Sequence, residues 1–260
     1  MKFKSFLTAG ALASSLISPA VMAAKATPPM PDIQKKEIEK IVHDYLVSNP
    51  EVLLEASQAL QQKQQQNMQQ QAKSAIQDNS SQLFEGKLTT VGNVKGNVTL
   101  VEFFDYQCIH CKKMSATMNN LVKKDRDLRV IYKEFPIFGK SSETASRAAL
   151  AAGMQGKYQK MHEALFAQDK RLNETVVMEA AKSIGLDMNK LKKDMDSKEV
   201  SSILDANRQL AEKLHLMGTP AFIVAPTPAG KYKEGSETSF IPGAASEESL
   251  QELIKKAAGN

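Results

Sequence analysis

The chain contains two cysteines, four histidines and no tryptophan among its 260 residues. A tetrahedral metal site needs about four ligands, and Cys108, Cys111 and the intervening His110 fall short of that with no second pair to complete it. No metal is expected. A single bridge between Cys108 and Cys111 would enclose so short a loop that it constrains little of the unfolded chain, so stability is a weak reason for the pair. Charge of one sign is also scarce. The formal net charge is +5, and two of those charges belong to Lys2 and Lys4 of a leader described below. So small a bias argues against a nucleic-acid partner. No stretch approaches the roughly 20 consecutive apolar residues that a membrane-spanning helix requires. Redox chemistry by the two thiols is the reading that remains, with no dissociable cofactor.

The first residues place that dithiol. Lys2 and Lys4 precede an apolar run from Phe6 to Ile17, and Val21-Met22-Ala23 offers small or neutral residues before a cut. This pattern predicts a secretory signal peptide over 1–23. No cysteine stands at the cleavage site, which argues against a lipid anchor there. Export to an oxidising, periplasm-like compartment is therefore expected.

The pair sits in "FFDYQCIHCKKMS", residues 103 to 115. Val98 to Phe104 is a nearly continuous β-prone run, the pattern of a strand buried on both faces. After Cys108 the period changes. Cys111, Met114, Ser115, Met118, Leu121 and Val122 fall on one helical face, with Lys112, Lys113, Asn119, Lys123 and Lys124 elsewhere. Cys108 thus lies at a helix N-terminus, where unpaired N–H groups and the helix dipole favour its thiolate. His110 can add a positive charge or a donor to the same sulfur. Glu102, the sole charge in the strand, is predicted to lie beneath the dithiol with a raised pKa, able to shuttle the proton of Cys111. Met114 and Met118 belong to the apolar helical face rather than to a copper site. His43, His162 and His215 read as ordinary helix residues.

Farther on, "HLMGTPAFIVA", residues 215 to 225, ends a helix and starts a strand. Pro220 fits either the first position of that strand or a cis peptide bond. Between Ser141 and Leu214 the composition is helical, with breaks near Gly153–Gly156, Arg171–Asn173 and Gly185–Asp187; Asn173 and Asp187 are candidate helix starts.

A strand with Glu six residues before a C-x-H-C pair, a long helical stretch, Gly-Thr-Pro, a short strand and a final helix resemble the thioredoxin superfamily, and within it the DsbA-like thiol:disulfide oxidoreductases. The resemblance covers about residues 83 to 257. It implies that Cys108 is the nucleophile and Cys111 the resolving cysteine, that Pro220 is a cis-proline, that Thr219 pairs with substrate backbone, and that Glu102 is the buried acid. Ile109 stands where the family's best-known oxidase has proline, and the dipeptide between the cysteines tunes the redox potential. The expected fold class is α/β: a thioredoxin fold over 78–260 with a helical insertion at about 141–203, preceded by a helical extension and linker over 24–77.

That extension is amphipathic from Asp32 to Val47. Ser48-Asn49-Pro50-Glu51 then reads as a capping box starting a second helix, which runs through Leu60 into "QQKQQQNMQQQ". The glutamine-rich part is polar all round and fits either a solvated helix or a disordered tether. The apolar stripe from Ile33 to Leu60 needs a cover, and a second copy of the chain predicts a homodimer through these helices. The arrangement resembles dimeric periplasmic disulfide isomerases in architecture only. The expectation is a periplasmic enzyme that forms and rearranges disulfides in exported, cysteine-containing proteins, recharged by a membrane partner of the DsbB or DsbD type. The alternative is an exported interaction protein, associated with the outer membrane or cell surface, on a thioredoxin-like scaffold without catalysis.

Overall fold

The computed structural model describes residues 31–259. The expected signal peptide over 1–23 lies outside the described residues. The chain divides into two compact units, with the boundary between Ala59 and Leu60.

In the first unit, helix α1 spans Asp32–Ser48 and α2 begins at Glu51. The expected capping box does not form. Asn49 instead turns its side chain backwards, its Nδ2 donating to Tyr45 O at 2.9 Å, so it satisfies a carbonyl at the end of α1 rather than an amide at the start of α2. Pro50 follows and forces the break. No side chain of α1 is buried, and Ile33, Ile41, Tyr45, Leu53 and Leu60 are all exposed.

Helix α2 runs on as Glu51–Asp78, so the glutamine-rich segment is a solvated helix and not a tether. Its last turns, with Ala72 and Ile76 buried, belong to the second unit. There Gln69 Nε2 donates to Phe240 O at 3.1 Å. A short helix α3, Ser80–Leu83, follows.

The second unit is built on a five-stranded sheet. Its strands are β1 (Thr90–Gly92), β2 (Val98–Phe104), β3 (Leu128–Glu134), β4 (Ala221–Pro226) and β5 (Ser239–Ile241), in the order β1-β3-β2-β4-β5. β2 and β3 are parallel and joined by helix α4, Ile109–Lys124; the other pairings are antiparallel. β2 is central and wholly buried, as its unbroken apolar run predicts. Alternation sends Leu100 and Phe104 to one face and Val101 and Phe103 to the other.

Between β3 and β4 come five helices: α5 (Lys140–Gly153), α6 (Tyr158–Phe166), α7 (Glu174–Ser183), α8 (Met188–Met195) and α9 (Lys198–Lys213). The predicted breaks fall between them. Asn173 caps α7 by accepting from Val176 N, and Asp187 caps α8 by accepting from Asn189 N and Lys190 N. Helix α10, Glu247–Ala258, ends the fold. One core joins α4, α10 and the inserted helices to the sheet face carrying Phe104. The other joins α2 and the end of α9 to the face carrying Phe103.

Candidate active site

The turn from β2 into α4 delivers both cysteines. Cys108 is the N-cap of α4, and its Sγ accepts from Cys111 N at 3.4 Å. The thiol of Cys108 in turn donates to Thr219 O at 3.3 Å. Thr219 precedes Pro220 through a cis peptide bond at the head of β4, so the chain brings residues 108 and 219 together across the sheet. Both cysteines are free thiols and buried. Burial is the main cause that pushes the Cys111 thiol far above its ordinary value, and the nearby Glu102 carboxyl adds to it. His110 is exposed on the first turn of α4. Among the described residues no hydrogen bond joins its ring to Cys108 Sγ, so the expected donor contact is not made.

Glu102 is buried in β2, on the face that also carries Phe104. Its carboxyl is raised well above the usual carboxylate range, first by burial, then by the neighbouring Cys108 and Glu134. Met114 and Met118 are buried on the inner face of α4, as core filler.

Three further residues shape the site: Asp105 and Glu134, to which the sequence pattern assigned no role, and His162, expected as an ordinary helix residue. Asp105, fully buried directly after β2, is a clamp: its carboxylate accepts from Gln107 N at 2.7 Å, Ile137 N at 2.7 Å, Phe138 N at 3.0 Å and Ser142 Oγ at 2.7 Å. It thereby ties the turn that carries Cys108 to the loop after β3 and to the start of α5. Glu134 ends β3, and its Oε1 accepts from Tyr106 Oη at 3.1 Å and Tyr158 Oη at 2.8 Å. His162 on α6 is satisfied in the core, its Nδ1 3.2 Å from Tyr106 Oη. The sequence signal for the two acids was slight: Asp105 directly follows the β2 run, and Glu134 closes a strand that also carries Arg129 and Lys133.

A cavity of about 280 Å³ reaches the cis-proline loop, lined by Met68 and Ala72 of α2, Met217 to Pro220 of the loop before β4, and Phe240 with Pro242. Met217 is 98 % exposed there, and Ile109, between the cysteines, is 64 % exposed. Among the described residues no group of three or more His, Cys, Asp or Glu side chains is placed to hold a metal, and no helix is long and apolar enough to cross a membrane.

A four-residue dithiol at the N-terminus of the helix after a central strand, facing a cis-proline loop, defines a thioredoxin-fold dithiol protein. The chain belongs to the family of the DSBA-like thioredoxin domain, whose model matches residues 99–255. A second model, that of the Copper resistance protein ScsC N-terminal domain, matches residues 34–67. Among solved structures, BcfH of Salmonella enterica Typhimurium is 31 % identical, with a TM-score of 0.73 and coverage of 86 % of this chain and 96 % of that one. ScsC of Proteus mirabilis in a transitional conformation is 29 % identical, with a TM-score of 0.62 and coverage of 88 % and 99 %. The thiol:disulfide interchange protein DsbA of Bordetella parapertussis is 31 % identical over 134 residues, 50 % of this chain and 64 % of that protein. The chain also matches the Na(+)/H(+) antiporter NhaA 3 of Salinispora tropica, at 24 % identity over 129 residues. It spans 20 % of that antiporter and less than two thirds of the DsbA relative.

Proposed function

We propose that the chain is an exported thiol:disulfide oxidoreductase that forms and rearranges disulfide bonds in cysteine-containing proteins of the periplasm. The observation that carries this reading is the placement of Cys108 Sγ: it accepts an amide at the start of α4 and lies against the cis-proline loop. A sulfur capping a helix N-terminus has backbone N–H groups to accept from as it attacks and leaves in disulfide exchange.

In the oxidising direction, a substrate thiolate attacks Cys108 Sγ of the Cys108–Cys111 disulfide, and Cys111 leaves as a thiolate that takes a proton from Glu102. A second substrate thiolate then attacks the substrate sulfur of the mixed disulfide, and Cys108 leaves with the electron pair. The substrate is oxidised by two electrons and the dithiol reduced. In rearrangement Cys108 attacks a wrong disulfide, a substrate thiolate is released, and a different substrate thiolate later expels Cys108, with no net redox change. Thr219 backbone offers a pairing edge to an extended substrate segment once its carbonyl is released from the Cys108 thiol. A membrane partner of the DsbB type would reoxidise the dithiol, and one of the DsbD type would keep it reduced.

The exposed stripe from Ile33 to Leu60 supports self-association through α1 and the start of α2, since so many large apolar side chains in one segment are costly to leave in water. Two copies are the smallest assembly that hides it. Insulin reduction and the refolding of scrambled ribonuclease, by wild type and a Cys108→Ser variant, test the enzymatic reading. Loss of both activities in the variant supports it; a binding scaffold would show no difference between the two proteins.

A further inference from the structure

One buried acid has no part in that scheme. Glu134 is fully buried, and while its Oε1 takes two tyrosine hydroxyls, its Oε2 has no partner; nor does the hydroxyl of Ser146, fully buried on α5. In the parallel ladder Glu102 pairs with Tyr132, and Phe104 pairs with Glu134. Since side chains alternate along a strand, Glu102 and Glu134 project from the same face, the one against which Cys111 packs.

The groups facing Glu134 come from several elements. Tyr106 and Asp105 follow β2, Tyr158 and His162 lie on α6, Ser146 lies on α5, and Tyr132 is on its own strand. None of them offers a cation. Burial pushes the His162 ring down to about 3, so it is neutral. With the Tyr106 hydroxyl committed to Glu134, His162 donates its Nδ1–H to Tyr106. Among the described residues, no basic side chain pairs with Glu134.

We infer that Glu102 and Glu134 form a coupled carboxylate pair on one face of the sheet, in which Glu134 is the positioning residue that decides when Glu102 can take the proton of Cys111. Two carboxylates in a poorly solvated site cannot both ionise cheaply, so the pair sheds its protons in two steps. Burial raises Glu134 to about 8, while the hydroxyls around it act in the opposite direction. Glu102 is held up by its own burial and by its neighbours Cys108 and Glu134. The step it serves is resolution of the mixed disulfide. Ionised Glu102 accepts the Cys111 S–H proton, the Cys111 thiolate attacks Cys108 Sγ, and the substrate sulfur departs with the electron pair. Cys108 and Cys111 end as a disulfide and the substrate is reduced.

This inference rests on the redox reading of the dithiol, and one experiment separates the two. A mixed disulfide between Cys108 and a model peptide is formed, and its rate of resolution is followed against pH in wild type, Glu134→Gln and Glu102→Gln. Glutamine keeps the acceptor for both tyrosines and removes the charge. The expected result is that the ascending limb of the rate moves to lower pH by about one unit in Glu134→Gln and is lost in Glu102→Gln. A Glu134→Gln profile superimposable on the wild type overturns the inference and leaves the redox reading standing; a wild type that forms no mixed disulfide overturns both. If Glu134→Gln does not fold, ¹³C-glutamate titration of the wild type and of Glu102→Gln decides. The Glu102 signal, identified by its loss in Glu102→Gln, is expected to release its proton only after Glu134 has ionised, and two independent single-proton curves in the wild type overturn the pairing.

Discussion

The amide of Cys111 donates to Cys108 Sγ at 3.4 Å, which makes the first cysteine the cap of the helix that carries the second. The two sulfurs are therefore unequal although both are buried: one caps the helix terminus, and the other has its thiol pushed far up. Replacing Cys111 by Ala should leave the attack by Cys108 intact and block resolution, so mixed disulfides accumulate and can be counted on non-reducing gels.

Asp105 holds three backbone amides and the Ser142 hydroxyl on one buried carboxylate. Asp105→Ala leaves those amides without an acceptor. A loss of about 3 kcal/mol in urea unfolding is expected, with faster amide exchange at Ile137 and Phe138.

Stability should respond to pH in two opposed ways. Glu134 has a folded value near 8, above its unfolded 4.5, so its contribution is complete below pH 4.5 and is lost as pH rises toward and through 8. His162 has a folded value near 3, below its unfolded 6.5, so its contribution is complete above pH 6.5 and is lost as pH falls toward 3. Each limb is worth on the order of a few kcal/mol, at about 1.4 kcal/mol per unit. Denaturant unfolding across pH should show the alkaline limb flattened in Glu134→Gln and the acid limb flattened in His162→Phe.

A variant lacking residues 32–59 removes the exposed apolar stripe and spares Gln69, Ala72 and Ile76, which pack in the larger unit. It should keep its thermal unfolding and its peptide-level thiol exchange. Sedimentation should show a single chain where the intact protein is larger. If the intact protein is also a single chain, self-association is refuted.

Much of this molecule was legible from local pattern. Val98–Phe104 reads as a buried central strand because nothing in it but Glu102 resists burial, and Cys111, Met114, Met118 and Leu121 repeat at helical spacing. The breaks at Asn173 and Asp187 were equally plain, since a capping side chain reaches only two or three residues along the chain. The same logic failed at Ser48–Glu51, where two helices compete for one short turn and Asn49 serves the one behind it.

By itself, the sequence determined a strand that turns into a helix with one dithiol at the turn, because periodicity, capping and cysteine spacing are properties of neighbouring residues. Only the tertiary structure decided what each charge meets. Asp105 finds the amides of residues 137 and 138, Thr219 reaches Cys108, and Glu134 is sealed among Tyr106, Tyr158 and Ser146. A carboxyl in or after a strand becomes a clamp, a sealed acid or a solvated tip according to what packs over it, and those elements lie far away along the chain.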